Sequence, residues 1–312
     1  MDAGISVIIP TYNREKFIGE AIKSVLQQDY ENKIEIIVTD DGSTDKTIEI
    51  AKSFGDKVIV ALKPDNCNSQ GVAANRNRGI RLATQPFVSF LDSDDFYLPG
   101  HLKKLAQCLE KNQSLGFAFC RLLELKEENN KYLFKPWTHI YLFENDIKNL
   151  VVSRIKIVHT NSIMLRRNIF DEIGLFNESY SNGEDGDLWM RVSEVYKGSF
   201  SDHYGAVYRC HHGVAQLTKN SEEEIKQCFI NIYTNAISRY YKLNLKDSQR
   251  IFQLQHWLII CKFRNTRKQY YSKLLGLICA YPFCYLKTLP VRFSEILENR
   301  KSRIWHNLDN YL

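Results

Sequence analysis

The sequence predicts an α/β protein: a mainly parallel, mixed sheet flanked by helices, followed by a helical C-terminal tail. Three observations carry this. Four short runs rich in Ile, Val and Phe, "ISVIIP" (5–10), "IEIIVT" (34–39), "KVIVAL" (57–62) and "PFVSFL" (86–91), have the composition of strands covered on both faces. Helical patterns separate them, and the alternation, at a spacing of roughly 25 residues, implies right-handed crossovers between parallel strands. From residue 221 onward the chain reads as successive helices, with Pro282 and Pro290 breaking the last ones.

Taken in order, the first strand ends in the turn-rich "PTYNRE", and a helix over 15–28 then sets Phe17, Ile18, Ala21, Ile22, Val25 and Leu26 on one face. The second strand leads through "DDGSTD" to a helix over 44–54 carrying Ile48, Ile50 and Ala51. The third leads through "KPDNCNSQG" to a helix over 71–83 carrying Val72, Ala73, Ile80 and Leu82. The fourth runs straight into "DSDD", ahead of a helix expected to start at Pro99. Past residue 115 the parallel rhythm weakens, and "GFAFCRLLEL" (116–125) with "KEENNKYLF" reads as a strand, a polar turn and a return strand.

A chain of 312 residues, 44% apolar and 25% charged, can bury a sizeable core. Its net charge of +6 is unevenly placed: residues 1–215 carry 26 Lys/Arg against 29 Asp/Glu, and residues 216–312 carry 16 against 7. A basic tail suits an anionic partner, or is simply a solvated helical surface. The eight cysteines form no CxxC pair, so they read as reduced packing thiols and not as a zinc ribbon or disulfide scaffold. The N-terminal "MDAGISVIIPTYN" indicates neither a signal peptide nor an anchor, and a cytoplasmic location is expected.

In a parallel sheet, ligands bind beyond the carboxyl ends of the strands. All four such ends here are polar, with acidic, amide and hydroxyl groups on one edge. Asp92, Asp94 and Asp95 crowd the mouth of the fourth strand, where they repel one another and resist desolvation. A divalent metal would neutralise them; a turn with a helix cap is the simpler alternative.

These strand ends, in this order, resemble the family 2 glycosyltransferases, inverting enzymes with the GT-A fold. The matching segments are "SVIIPTYNRE" (6–15), "DDGSTDKT" (40–47), "GVAANRNRGI" (71–80), "FLDSDD" (90–95), "GEDGDLWMRV" (183–192) and "YRCHH" (208–212). The resemblance implies a catalytic domain over 1–215, with nucleotide-sugar binding over about 1–115 and the acceptor side over about 116–215. A basic helical region over 216–312 lies outside the motifs.

The resemblance also implies roles. Asp94 is the expected metal ligand, for Mg2+ or Mn2+, since hard oxygen donors favour hard cations. Asp92 would meet the ribose hydroxyls, Asp41 a base N–H, and Tyr12 the base ring. Arg76 is expected to face the phosphates, with Arg78 as the alternative. Asp185 matches the catalytic base and Glu184 an acceptor- or loop-positioning residue. Asp187 is expected to anchor its helix and Trp189 to belong to the core. Arg209 and His211, read as following the last strand of this region, are candidate diphosphate or metal contacts.

The expected activity is transfer of a sugar from a nucleoside-diphosphate sugar to a saccharide or lipid-linked acceptor. A sugar nucleotidyltransferase would carry a Gly-rich phosphate loop where "PTYNRE" stands, and would release pyrophosphate. An oxidoreductase would carry GxGxxG after the first strand. A non-catalytic nucleotide-sugar-binding scaffold would be expected to lack one of Asp92, Asp94 and Asp185. In the tail, ten Lys/Arg between 261 and 303 alternate with Tyr and Leu, which suits a peripheral helix on anionic lipid. The same apolar face would also suit packing on the catalytic domain or a homo-oligomer. No nucleic-acid-binding motif accompanies the charge. The piece "LLGLICAYPFCYL" (274–286) is too short to span a membrane.

Overall fold

The computed structural model describes residues 3–65, 71–128, 131–137, 158–210, 221–242, 248–263 and 267–281. The first half alternates β1 (Ile5–Thr11), α1 (Ile18–Leu26), β2 (Ile34–Asp40), α2 (Thr47–Lys52), β3 (Val58–Ala61), α3 (Val72–Leu82) and β4 (Phe87–Phe90). Every residue of β1 is buried, as its Ile- and Val-rich run predicts, and the one polar residue in its middle, Ser6, donates to Glu35 of β2. β1 lies between β2 and β4 and pairs with both in parallel, while β2 pairs in parallel with β3.

The second half adds β5 (Phe96–Tyr97), α4 (His101–Lys111), β6 (Leu115–Glu128), β7 (Lys131–Pro136), β8 (Ile163–Arg166), α5 (Ile169–Ile173), α6 (Glu184–Val195) and β9 (Lys197–Cys210). The sheet order is β3-β2-β1-β4-β8-β6-β9-β5, with β7 on β6. β8 is antiparallel to β4 and β6, so the sheet turns mixed beyond β4. The architecture is the expected α/β one, a mostly parallel sheet with helices on both faces.

The sheet separates two cores. On one face Ile18, Ala21, Ile22 and Val25 of α1 and Leu102 and Leu105 of α4 pack on Val7, Ile9 and Val38. On the other, Ala73 and Ile80 of α3 and Leu188 and Trp189 of α6 pack on Ile8, Ile37, Val88 and Phe90. Each such large side chain contributes about 1.5–3 kcal/mol by burial. Helix α3 crosses β1 so closely that a Cβ on Gly79 would lie 2.4 Å from Ile8 Cγ2, so glycine is required there.

Three expectations are corrected. The helix expected at Pro99 starts at His101, because Gly100 takes a left-handed φ of 76° and turns the chain first. Strands β5, β8 and β9 were not anticipated. β5 has only two residues and β8 four, and β9 carries Gly198 and Gly205 where side chains of Phe117, His101 and Cys120 fill the space above the backbone. Arg209 therefore lies within β9 and not beyond the last strand.

Helices α7 (Glu222–Lys242), α8 (Ser248–Phe263) and α9 (Arg267–Ala280) follow. Ile232, Tyr233, Ala236 and Leu254 form a small core with Tyr180 and Met190, which docks α7 and α8 against α6. Among the described residues, no helix is long and apolar enough to cross a membrane. Most of the basic and aromatic segment singled out between 261 and 303 lies outside the described residues.

Candidate active site

The loops after β1 and β2 are sewn together by their own polar residues. Asn13, at φ 51°, donates its amide to Ser43 Oγ (2.9 Å) and accepts from the Thr44 amide (2.8 Å). The Arg14 amide donates to Thr47 Oγ1 (2.7 Å), and the Lys46 amide to Glu15 (3.1 Å). Asp40 receives the Gly42 and Ser43 amides (2.9 and 2.8 Å), so the first aspartate of "DDGS" builds the turn. Asp41 is left to face Arg78 (3.2 Å) and Lys63 (4.0 Å), with the Gly71 amide on its second oxygen (2.8 Å). Tyr12 stands at the same mouth with 39% of its surface exposed, a ring open to a planar partner.

Helix α3 supplies four successive polar side chains to this edge. Asn75 donates to the Thr11 carbonyl (3.2 Å), and Asn77 clamps the loop at Phe176 and Glu178. Arg78 holds Asp41 and Asn75. Arg76, 4% exposed, reaches Asp92 with one terminal nitrogen (2.8 Å) and Glu184 with the other (2.7 Å). Burial works against its charge, but Asp92, Glu184 and Asp185 more than restore it and hold the guanidinium firmly protonated. Arg76, expected to face the phosphates, has both terminal nitrogens committed to carboxylates. Arg14 is the cation beside Asp94, at 3.2 Å.

The acidic turn itself is clamped by a residue that the sequence did not reveal. Asn161, in a short 3-10 turn before β8, accepts the Asp92 amide (2.9 Å) and donates to Asp95 Oδ2 (2.5 Å). The other Asp95 oxygen accepts the Arg209 amide (2.7 Å). Burial, then the charges of Asp94 and Asp92, push the Asp95 carboxyl well above the usual range, against the pull of those two donors. Asp95 thus ties β9 to the turn. Asp92 and Asp94 are more open, with 25% and 19% of their side chains exposed.

Gly183 takes φ 76° and starts α6, bringing Glu184 and Asp185 to this edge. Asp185 accepts the Gly186 amide (2.7 Å) and the Thr160 hydroxyl (3.3 Å). Burial and the Glu184 charge raise its carboxyl, Arg76 and the Gly186 amide lower it, and it comes to rest pushed up to about 7. His159, whose ring meets those of Trp137 and Tyr208 at 5.1 and 5.2 Å, lies near Asp92 and Asp94 and is kept neutral by burial.

The structure therefore brings Tyr12, Asp41, Arg76, Asp92, Asp94, Glu184 and Asp185 to one edge. Asp187 anchors α6 through Arg191 (2.8 Å) and Arg239 (3.6 Å), and Trp189 is core at 2% exposure, both as expected. The Arg209 guanidinium lies between Phe17 and Phe96 and reaches Glu20 (3.0 Å), while its backbone amide serves the turn. His211 lies outside the described residues. Arg14, His159, Thr160 and Asn161 were missed, and Asp95 was noticed only as a carboxylate of the crowded turn; for His159, Thr160 and Asn161 no motif signals the contact, which depends on where β8 docks. As oxygen donors at an exposed rim, Asp94 and Asp92 fit Mg2+ or Mn2+. Among the described residues they belong to no preassembled cluster of three ligands, so phosphate and water oxygens would complete the shell.

The profile of glycosyl transferase family 2 matches residues 6–174. An uncharacterized glycosyltransferase of Haemophilus influenzae is 32% identical over 270 residues, covering 81% of this chain and 80% of the relative. One of Rickettsia felis is 31% identical over 257 residues, covering 80% of this chain but only 41% of that longer relative. The crystal structure of TarS from S. aureus superposes with a TM-score of 0.61 at 19% identity, over 88% of this chain and 53% of TarS. The mannosyltransferase PcManGT from Pyrobaculum calidifontis, in complex with GDP-Man and Mn2+, gives 0.54 at 16% identity, over 94% of this chain and 81% of PcManGT. By the extent of the profile match and the coverage of the Haemophilus relative, the chain belongs to glycosyl transferase family 2.

Proposed function

We propose that the chain is an inverting glycosyltransferase that moves a sugar from a nucleoside-diphosphate sugar to an acceptor hydroxyl. The observation that carries this is the Arg76 bridge, which holds the acidic turn at Asp92 and the start of α6 at Glu184 on one guanidinium. Asp185 is thereby set beside the turn with its carboxyl near neutrality, where a general base works best. Asp185 takes the proton of the acceptor hydroxyl as that oxygen attacks the anomeric carbon. The bond from that carbon to the diphosphate oxygen breaks on the opposite face, and its electron pair leaves with the diphosphate.

Held at Asp94, Mn2+ or Mg2+ would neutralise the charge that develops on the leaving group. Arg14 adds a positive charge at the same rim. In this reading Asp41 accepts a base N–H, Tyr12 packs on the ring and Asp92 meets the ribose. TarS in complex with UDP-GlcNAc and PcManGT in complex with GDP-Man support a nucleotide-sugar donor, and the Mn2+ of the PcManGT complex supports a divalent metal. A saccharide or lipid-linked acceptor, reached from the cytoplasmic face of a membrane through the basic tail, completes the reading.

The test is a panel of UDP-, GDP- and dTDP-sugars screened by thermal shift with Mn2+, followed by product analysis with the donor that binds. Release of nucleoside diphosphate with a glycoside of inverted anomeric configuration is the expected result. Retained configuration, or pyrophosphate as product, would overturn it.

A further inference from the structure

Away from the strand-end site, three ligand-bearing side chains converge from three elements: His101 of α4, Cys120 of β6 and His203 of β9. Their ligand atoms all lie within 4.8 Å of one another. None has a part in sugar transfer as proposed above.

The geometry is that of a site still slightly open. Cys120 Sγ lies 3.6 Å from His101 Nδ1. With zinc–sulfur and zinc–nitrogen bonds of about 2.3 and 2.0 Å, the S···N edge of a tetrahedral zinc centre is about 3.5 Å. His203 holds Ser201 Oγ with Nδ1 (2.9 Å), leaving Nε2 buried and without a hydrogen-bond partner. One ring nitrogen fixed by a polar neighbour and the other bare is how a ligating histidine is oriented. His101 is fully buried, packs on Tyr97 with ring centroids 4.3 Å apart, and turns Nδ1 to Cys120 Sγ. An unpaired buried polar atom is costly, and the His203 Nε2 calls for a partner.

The Gly205 amide hydrogen-bonds Cys120 Sγ. Gly205 itself is dictated by the cluster: a Cβ there would lie 2.0 Å from His101 Nδ1 and 2.6 Å from Cys120 Sγ. The exposed Lys104 opposes a cation, and a thiolate offsets it.

We propose that His101, Cys120 and His203 bind a zinc-class ion that pins α4 to β6 and β9. One sulfur and two imidazole nitrogens select a borderline-soft cation and discriminate against the Mg2+ or Mn2+ suited to Asp94. Binding releases the Cys120 proton to solvent, and water entering from the half-buried His203 side fills the fourth position.

The test titrates Co2+ alone into the chelator-stripped full chain under a non-thiol reductant. One equivalent should produce a thiolate-to-cobalt charge-transfer band that Zn2+ abolishes. The band should persist in Asp94→Asn, which separates this ion from any metal at the acidic turn. It should vanish in Cys120→Ala, and His203→Gln should weaken Co2+ by more than the roughly 10–100-fold lost with an outer-shell partner. If circular dichroism shows that Cys120→Ala fails to fold, His203→Gln decides alone. Absence of the band, or an unchanged Co2+ affinity in either folded variant, overturns the proposal.

Discussion

Replacing Arg76 by methionine removes the one cation that binds Asp92 to Glu184 and keeps most of the apolar stem. The side chains of Arg76, Asp92 and Glu184 are 5%, 25% and 10% exposed, so neither carboxylate left behind is freely hydrated. Breaking a buried pair from one side costs about 3–5 kcal/mol, and the partial exposure of Asp92 favours the lower end. At roughly 2–4 °C per kcal/mol for a chain of this size, Tm should fall by about 6–12 °C. Arg76 also lowers the Asp185 carboxyl, so its loss should move the acidic limb of the pH–rate profile upward from about 7. Differential scanning fluorimetry and kcat/KM against pH read the two effects separately. Arg76→Lys should recover little, because an ammonium cannot span both carboxylates as the guanidinium fork does. An Arg76→Met protein with Tm within about 1 °C of wild type, like a control at the exposed Arg81, would refute the bridge as the element holding this site.

Asp94→Asn should remain folded by circular dichroism and lose most divalent-metal-dependent turnover; full activity in that variant would remove Asp94 from the metal site. Asp185→Asn should lower kcat by about 10²–10⁴ with little change in donor affinity. The Asp185 carboxyl is raised on folding, so the stability it contributes is complete below about pH 4 and lost as pH rises through about 7. The Tm of Asp185→Asn should therefore gain on wild type between those values, and a difference independent of pH would contradict the raised carboxyl. The full-length protein should float with anionic vesicles in a salt-sensitive way, and a chain ending near residue 260 should not; equal behaviour of the two would exclude the tail.

The parallel half of the fold was legible because β1, β2 and β4 are covered on both faces and so read as Ile-, Val- and Phe-rich runs with few polar residues, with helical stripes between them. The mixed half was not. β8 is only Ile163–Arg166, and its place between β4 and β6 is set by tertiary docking that no local pattern encodes. For that reason Asp92, Asp94 and Asp185 were recognisable by motif, whereas Asn161 was silent: its value lies in standing beside a turn about 70 residues away. Arg76 was noticed for the right charge, but sequence could not tell a carboxylate partner from a phosphate one.

The balance of charge at the edge bears on how the donor arrives. Asp92, Asp94, Asp95, Glu184 and Asp185 meet there, against the guanidiniums of Arg76 and Arg14. Five carboxyls thus face two guanidiniums, and burial, with the neighbouring carboxylates, raises those of Asp95 and Asp185. A bare diphosphate entering that field would be repelled, whereas a metal–diphosphate complex brings its own neutralising charge. The donor is therefore expected to bind as its metal complex, with Asp94 the carboxylate that meets the metal. Thermal shifts check this: nucleoside diphosphate with Mn2+ should raise Tm by more than the separate effects of diphosphate and Mn2+ combined. The excess should shrink in Asp94→Asn. Equal stabilisation by diphosphate with and without metal would mean that Arg14 alone neutralises the leaving group, and the acidic turn would then need another explanation.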